Sequence, residues 1–185
     1  TIDGGGEYEG TTVWKVKHGE FEKLLSMHAS YSSIGEFYEG FMVKLNLGNV
    51  LEAAGKGMGL APYGAQSDYY FKIKKYIKIT PDGDEPYNIL VNGKKIVRKH
   101  NGVGLIRSIA DEVINSKVKW NPRGSLNYDA ANVAWAVQRL TEEMILALAT
   151  WSKNQTKENN LAMAGGVALN AKANMELYYS RIFND

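Results

Sequence analysis

The 185-residue chain contains no cysteine, which excludes disulfides, a thiolate nucleophile and a zinc–sulfur centre and is compatible with a cytoplasmic location. Its three histidines, His18, His28 and His100, stand apart with no metal-ligand spacing and read as surface or packing residues. No apolar run approaches the roughly 20 residues that span a bilayer, and no signal-peptide pattern is present. Neither sign of charge dominates: 22 basic residues face 20 acidic ones, a formal net charge of +2. That balance argues against a nucleic-acid surface built on bulk charge, and Lys72-Ile73-Lys74-Lys75 reads as a solvated helix face. Internal repeats and low-complexity segments are absent.

What is present suits a globular protein. Hydrophobic residues make up 44% and charged residues 23%, enough for a buried core in one large domain or two small ones. The first thirty residues alternate in the manner of strands: Ile2, then Thr12, Trp14 and Val16, then Phe21, Leu24 and Leu25, with His18-Gly19-Glu20 as a turn. This pattern predicts a three-stranded antiparallel meander. From Ser33, an N-cap candidate, the period becomes helical through Ile34, Phe37, Tyr38, Phe41 and Leu45. Further helices are expected at 50–60 and 67–76, followed by a short strand at 77–79.

The stretch 80–100 is rich in turn residues and is expected as a peripheral hairpin insertion. Ala130, Val133, Val137, Leu140, Met144 and Trp151 recur at helical spacing and predict the longest helix, with that stripe buried. A short buried strand at 161–164 in the same sheet as the first strands, a helix at 168–179 and a new strand at 181–183 complete the expectation. The element order is α/β.

Two glycine clusters stand out. Asp3-Gly4-Gly5-Gly6-Glu7 lies between the first two strands. It is either a hairpin turn or a loop whose backbone approaches a phosphate or a metal-bound ligand. Gly165-Gly166 joins the expected strand at 161–164 to the following helix. These glycines either relieve crowding or let a nucleotide lie across them toward a helix N-terminus. Asn170 adds a side-chain amide able to donate and accept toward a ribose or phosphate.

A strand–Asp-Gly-Gly-Gly–strand hairpin followed by a strand–Gly-Gly–helix element resembles the actin, sugar-kinase and heat-shock-chaperone ATPase superfamily. Four ordered motifs sharpen the resemblance: "SSIGEFYEG" (32–40), "AGKGMGLAPYG" (54–64), "YDAANVAWAVQRLTEE" (128–143) and "AGGVALNAKAN" (164–174). Together they are similar to the carbamoyltransferases of the nodulation and antibiotic-tailoring type, the NodU/CmcH family. The likeness runs from Asp3 to the C-terminus and is weakest across 80–121.

That resemblance implies that residues 1–185 form a single domain, most of the second lobe of an actin-like, RNase-H-like (Kae1-like) carbamoyltransferase domain, with a mixed sheet and packed helices. It implies conversion of ATP and carbamoyl phosphate to carbamoyl-adenylate, and carbamoyl transfer to a hydroxyl on a small acceptor. The divalent metal implied is iron, with manganese or magnesium as alternatives. Asp3 matches the metal-ligating aspartate of the family. Gly4, Gly5 and Gly6 would line the adenylate phosphate, Gly165, Gly166 and Asn170 would hold the nucleotide, and Lys56 could stand near it as a point charge. Glu7 and Gln138 are secondary candidates. Ala54 stands where the family usually has Glu. The absence of an initial Met and of the family's upstream His-x-x-x-His and downstream aspartate reads as a piece of a longer chain. The rival enzyme reading is an ATP-dependent sugar kinase, and the non-enzymatic one a nucleotide-binding or chaperone-type module.

Overall fold

A computed structural model describes residues 1–4, 8–95, 103–121 and 123–184. Strands β1 (Glu9–Lys17) and β2 (Glu20–His28) form an antiparallel hairpin that closes with Lys17 opposite Glu20. The expected turn is there, with His18 at φ 53°. Next come a four-residue helix α1 (Ala29–Ser32), α2 (Ile34–Lys44), α3 (Val50–Leu60) and a 3-10 turn at Ala61–Tyr63. Then follow α4 (Asp68–Lys74), β3 (Ile77–Ile79) and β4 (Tyr87–Ile89), α5 (Val103–Val113) and α6 (Tyr128–Thr156). A 3-10 turn at Gly166–Leu169 leads into α7 (Ala171–Ser180). The protein is mixed α/β, with small sheets and packed helices.

Helix α6 is the axis of the molecule. The Asn127 side chain accepts from Ala130 N–H at 3.2 Å and starts it, and Lys157 ends it in the left-handed region. Ala130, Val133, Val137, Leu140 and Met144 are completely buried, as their spacing predicts. Helix α2 lies against α3, α5 and α6. Phe37 and Phe41 meet edge to face at 5.3 Å, both without exposed surface, which concentrates apolar burial and ring contact in one place. Helix α5, in a region the sequence pattern leaves unassigned, adds Ile106, Ile109 and Ala110 to the core.

The structure corrects the strand expectations. The described strands form two separate antiparallel pairs, β1–β2 and β3–β4, not one mixed sheet. The first strand of the meander shrinks to a single bridge between Ile2 and Thr11. Residues 161–164 are irregular and are tied to the N-terminal segment through Ile2 N–H to Ala164 C=O at 2.9 Å. Among the described residues, only 1–3 lie alongside the outer edge of β1, at residues 10–12. From Val13 to Val16 that edge borders a groove of about 1050 Å³ that α6 also lines. This is why Trp14 and Val16 are substantially exposed. Residues 181–183 form a turn after α7, with Arg181 at φ 56°, instead of a strand.

The 80–100 stretch does turn at 81–84 and again at 92–93, with exposed residues at both turns, but the strand between them is not peripheral. Tyr87 is fully buried, sharing a hydrogen bond with Thr11 Oγ1 at 2.6 Å and reaching the Ser32 carbonyl at 2.8 Å. Residues 96–100, including His100, lie outside the described residues.

Candidate functional site

Two loops 160 residues apart in sequence meet at one cavity. The Asp3-Gly4 turn is pinned onto the start of α2: Ser33 Oγ donates to the Gly4 carbonyl at 2.6 Å and accepts from Glu36 N–H at 3.1 Å. The same hydroxyl therefore caps the helix and fixes the loop. Contact is so close that a Cβ on Gly35 would stand 2.4 Å from Gly4 Cα. On the other side, Gly165 takes φ 100°, and a Cβ there would meet the Ile2 carbonyl oxygen at 2.2 Å. Neither position has room for a side chain.

The cavity beneath these loops measures about 350 Å³, within the roughly 300–1,000 Å³ of small-molecule sites. Asp3, Gly4, Gly166 and Asn170 line it, so four of the sequence candidates come together. Ile34, Met58 and Val167 give it apolar walls, Ala54 and Gly55 leave α3 open toward it, and Glu39 and Thr141 add polar groups that the motif reading does not pick out. Gly165 braces the loop from behind. Lys56 is not brought to the cavity: it is exposed on α3 and pairs with Glu52 at 2.7 Å, one helical turn away. Gly5, Gly6 and Glu7 lie outside the described residues.

Asn170 has a scaffolding part. Its Oδ1 accepts from Ala173 N–H at 3.1 Å, capping α7, and from Gln138 Nε2 at 3.1 Å, while its Nδ2 donates to Gln138 Oε1 at 3.2 Å. Gln138 also accepts from Tyr38 Oη at 2.9 Å and donates to Glu142 at 3.0 Å. All four residues are buried. Burial, reinforced by the Glu142 charge, raises the Tyr38 hydroxyl well above its ordinary pKa, so it stays a donor. The network locks α2, α6 and α7 together behind the cavity. Gln138 was visible as a motif residue, but its partners were not, because they come from three helices.

The mouth of the cavity is acidic. Asp3 is exposed, with its Oδ1 accepting from Gly4 N–H at 2.7 Å. Glu39 is partly buried beside Arg107, whose guanidinium forks onto Glu36 and reaches Glu39 Oε2 at 3.5 Å. Burial first, then repulsion from Glu36 and Asp3, raises the Glu39 pKa, against the pull of Arg107. The spacing of Glu36 and Glu39 puts both carboxylates on one face of α2, but Arg107 comes from α5, far along the chain.

Among the described residues a metal ion does not find a complete site. Among the described residues no group of three or more His, Asp or Glu side chains could hold one, so Asp3 contributes at most a single hard ligand. His28 is occupied elsewhere: its Nδ1 accepts from Ser30 N–H at 3.1 Å and caps α1. No helix among the described residues is long and apolar enough to cross a membrane.

Uncharacterized protein sll1178 of Synechocystis sp. is 26% identical over 181 residues, covering 95% of this chain and 27% of that protein. Nodulation protein NolO of Bradyrhizobium diazoefficiens is 27% identical over 184 residues, 100% of this chain and 30% of that protein. Nodulation protein NolNO of Sinorhizobium fredii is 27% identical over 185 residues, 100% of this chain and 24% of that protein. The chain thus spans less than a third of the length of these relatives. The family described as carbamoyltransferase N-terminus matches residues 1–185 without remainder, and the chain belongs to that family.

Proposed function

We propose that the protein containing this chain is an ATP-dependent O-carbamoyltransferase, and that the cavity at Asp3-Gly4 and Gly166 holds the nucleotide part of a carbamoyl-adenylate. One observation carries the reading: two glycine loops remote in sequence converge on a single small cavity in a chain of the carbamoyltransferase family. Backbone without side chains at Gly4 and Gly166 lets a phosphate approach closely, and the start of α2 directs its partial positive charge to the same place. Apolar walls from Ile34, Met58 and Val167 suit the flat nucleoside.

The transfer step balances simply. The acceptor hydroxyl oxygen bonds to the carbamoyl carbon, the bond from that carbon to the phosphate oxygen of AMP breaks, and AMP leaves as the hydroxyl loses its proton. Carbamoyl phosphate supplies the carbamoyl group: water releases its phosphate to leave carbamate, and a carbamate oxygen bonds to the α-phosphorus of ATP as pyrophosphate leaves. Residues of this chain bind and orient the adenylate; the acceptor is a small hydroxylated molecule. Asp3 and Glu39 repel a bare phosphate, so a divalent cation with ligands beyond the described residues fits this reading, with Asp3 as one of them. The finer fold assignment, a lobe of an actin-like ATPase, belongs to the same proposal.

The test uses the full-length protein. ATP consumption that requires carbamoyl phosphate, with AMP as product, supports the reading. ATP turnover to ADP with a sugar and without carbamoyl phosphate would replace it by a kinase. Nucleotide binding without turnover under either condition would leave a binding module.

A further inference from the structure

We propose that Thr141 is a ligand-binding residue whose hydroxyl is held free for the nucleoside; this rests on the nucleotide reading of the cavity. Threonines and serines buried on a helix ordinarily donate to the carbonyl one turn back. Helix α6 does so three times: Thr150 to Leu146 at 2.9 Å, Ser152 to Leu148 at 2.8 Å and Thr156 to Ser152 at 2.8 Å. Thr141, on the same helix and only 1% exposed, does not. Its Oγ1 has no hydrogen-bond partner among the described residues.

Its neighbours do not need it. Gln138, about one turn before Thr141, and Glu142, the residue after it, are satisfied by each other, by Tyr38, by Asn170 and by Arg139. Thr141 lines the cavity together with Ile34, Met58 and Val167. A buried hydroxyl without a partner destabilises the fold and calls for an explanation in a native structure. Here it is a polar group at an otherwise apolar wall, able both to donate and to accept. A nucleoside offers what this wall lacks: flat apolar faces for the three hydrophobic side chains and ring or ribose heteroatoms for the hydroxyl. The phosphate end is already accounted for by Gly4 and Gly166.

Two isosteric variants of the full-length protein separate ligand binding from structure. Thr141→Val keeps the shape and removes the hydroxyl; Thr141→Ser keeps the hydroxyl. Without ligand, Thr141→Val is expected to melt at or above the wild-type temperature, because an unpaired polar group has been removed. ADP titration should show about tenfold weaker binding for Thr141→Val, the size of one lost hydrogen bond, and near wild-type binding for Thr141→Ser. In turnover the loss should fall on KM for ATP more than on kcat, since the nucleoside does not react. If wild type binds ADP and Thr141→Val binds it equally well, Thr141 is not a ligand contact, although the cavity remains a nucleotide site. A clear drop in the melting temperature of Thr141→Val would likewise overturn the proposal, by showing a structural partner. If the wild type binds neither ADP nor ATP, the nucleotide reading itself fails.

Discussion

Gly165 and Ile2 meet backbone to backbone: a Cβ on Gly165 would stand 2.2 Å from the Ile2 carbonyl oxygen, and Gly165 holds φ 100°. The second glycine loop is therefore seated on the N-terminal segment at Ile2, and the Asp3 turn follows one residue later. Gly165→Ala is expected to destabilise the protein by about 2 kcal/mol or more, combining a strained left-handed conformation with a clash against backbone that cannot move freely. Gly166→Ala, whose Cβ would meet only the end of the Asp3 side chain at 3.2 Å, should cost clearly less. Denaturant midpoints of the two variants, measured side by side, check the difference.

Gln138 is the hub of the buried network. Gln138→Leu leaves the Tyr38 hydroxyl, the Asn170 amide and one Glu142 oxygen without their partner, so a loss of about 2–4 kcal/mol is expected. Tyr38→Phe removes a single donor and should cost about 1 kcal/mol. Equal losses for the two would show that the hub does not act as a unit.

Glu39 sets a pH dependence with a definite sign. Its pKa in the folded state is raised, chiefly by burial and then by Glu36. The folded protein thus holds this proton more tightly than the unfolded chain does. Ionised Glu39 opposes folding above its folded pKa, and that penalty disappears as pH falls below the unfolded carboxylate value. Glu39→Gln should therefore melt higher than wild type at pH 7, and the gap should close as pH falls toward 4. A gap that is constant or widens on acidification contradicts this assignment.

Asp3 carries little packing. It is exposed, and an Asn side chain can still accept from Gly4 N–H through its oxygen. Asp3→Asn in the full-length protein should leave the melting temperature almost unchanged while carbamoyl transfer falls by about a hundredfold. Wild-type activity in a normally folded Asp3→Asn protein would remove Asp3 from the site.

Lys56 does not line the cavity and is paired with Glu52. Lys56→Ala should leave ADP affinity within about twofold of wild type, as expected for loss of an exposed ion pair remote from the ligand. A tenfold loss would place Lys56 at the nucleotide after all.

The sequence by itself determined most of the helices, α5 excepted, and the residue chemistry of the loops. Ser33 and the Ile34–Leu45 spacing mark α2, and the Ala130–Met144 stripe marks α6, because a helix writes its buried face into the chain every third or fourth residue. Asp3, Gly4 and the Gly165-Gly166 pair were legible as a carboxylate and glycines gathered in two short loops, and among these glycines close backbone approach demands the missing side chain at Gly165. Tertiary structure alone decided the pairing of strands and the wall of the cavity. Residues 161–164 read as a buried strand, yet pairing needs a partner edge, and only Ile2 reaches it. Glu39, Arg107 and Thr141 carry no local signature. What distinguishes them is which neighbours α2, α5 and α7 bring against them, and for Thr141 that none of those neighbours takes its hydroxyl. Such relations arise between segments far apart in the chain and exist only once the helices have packed.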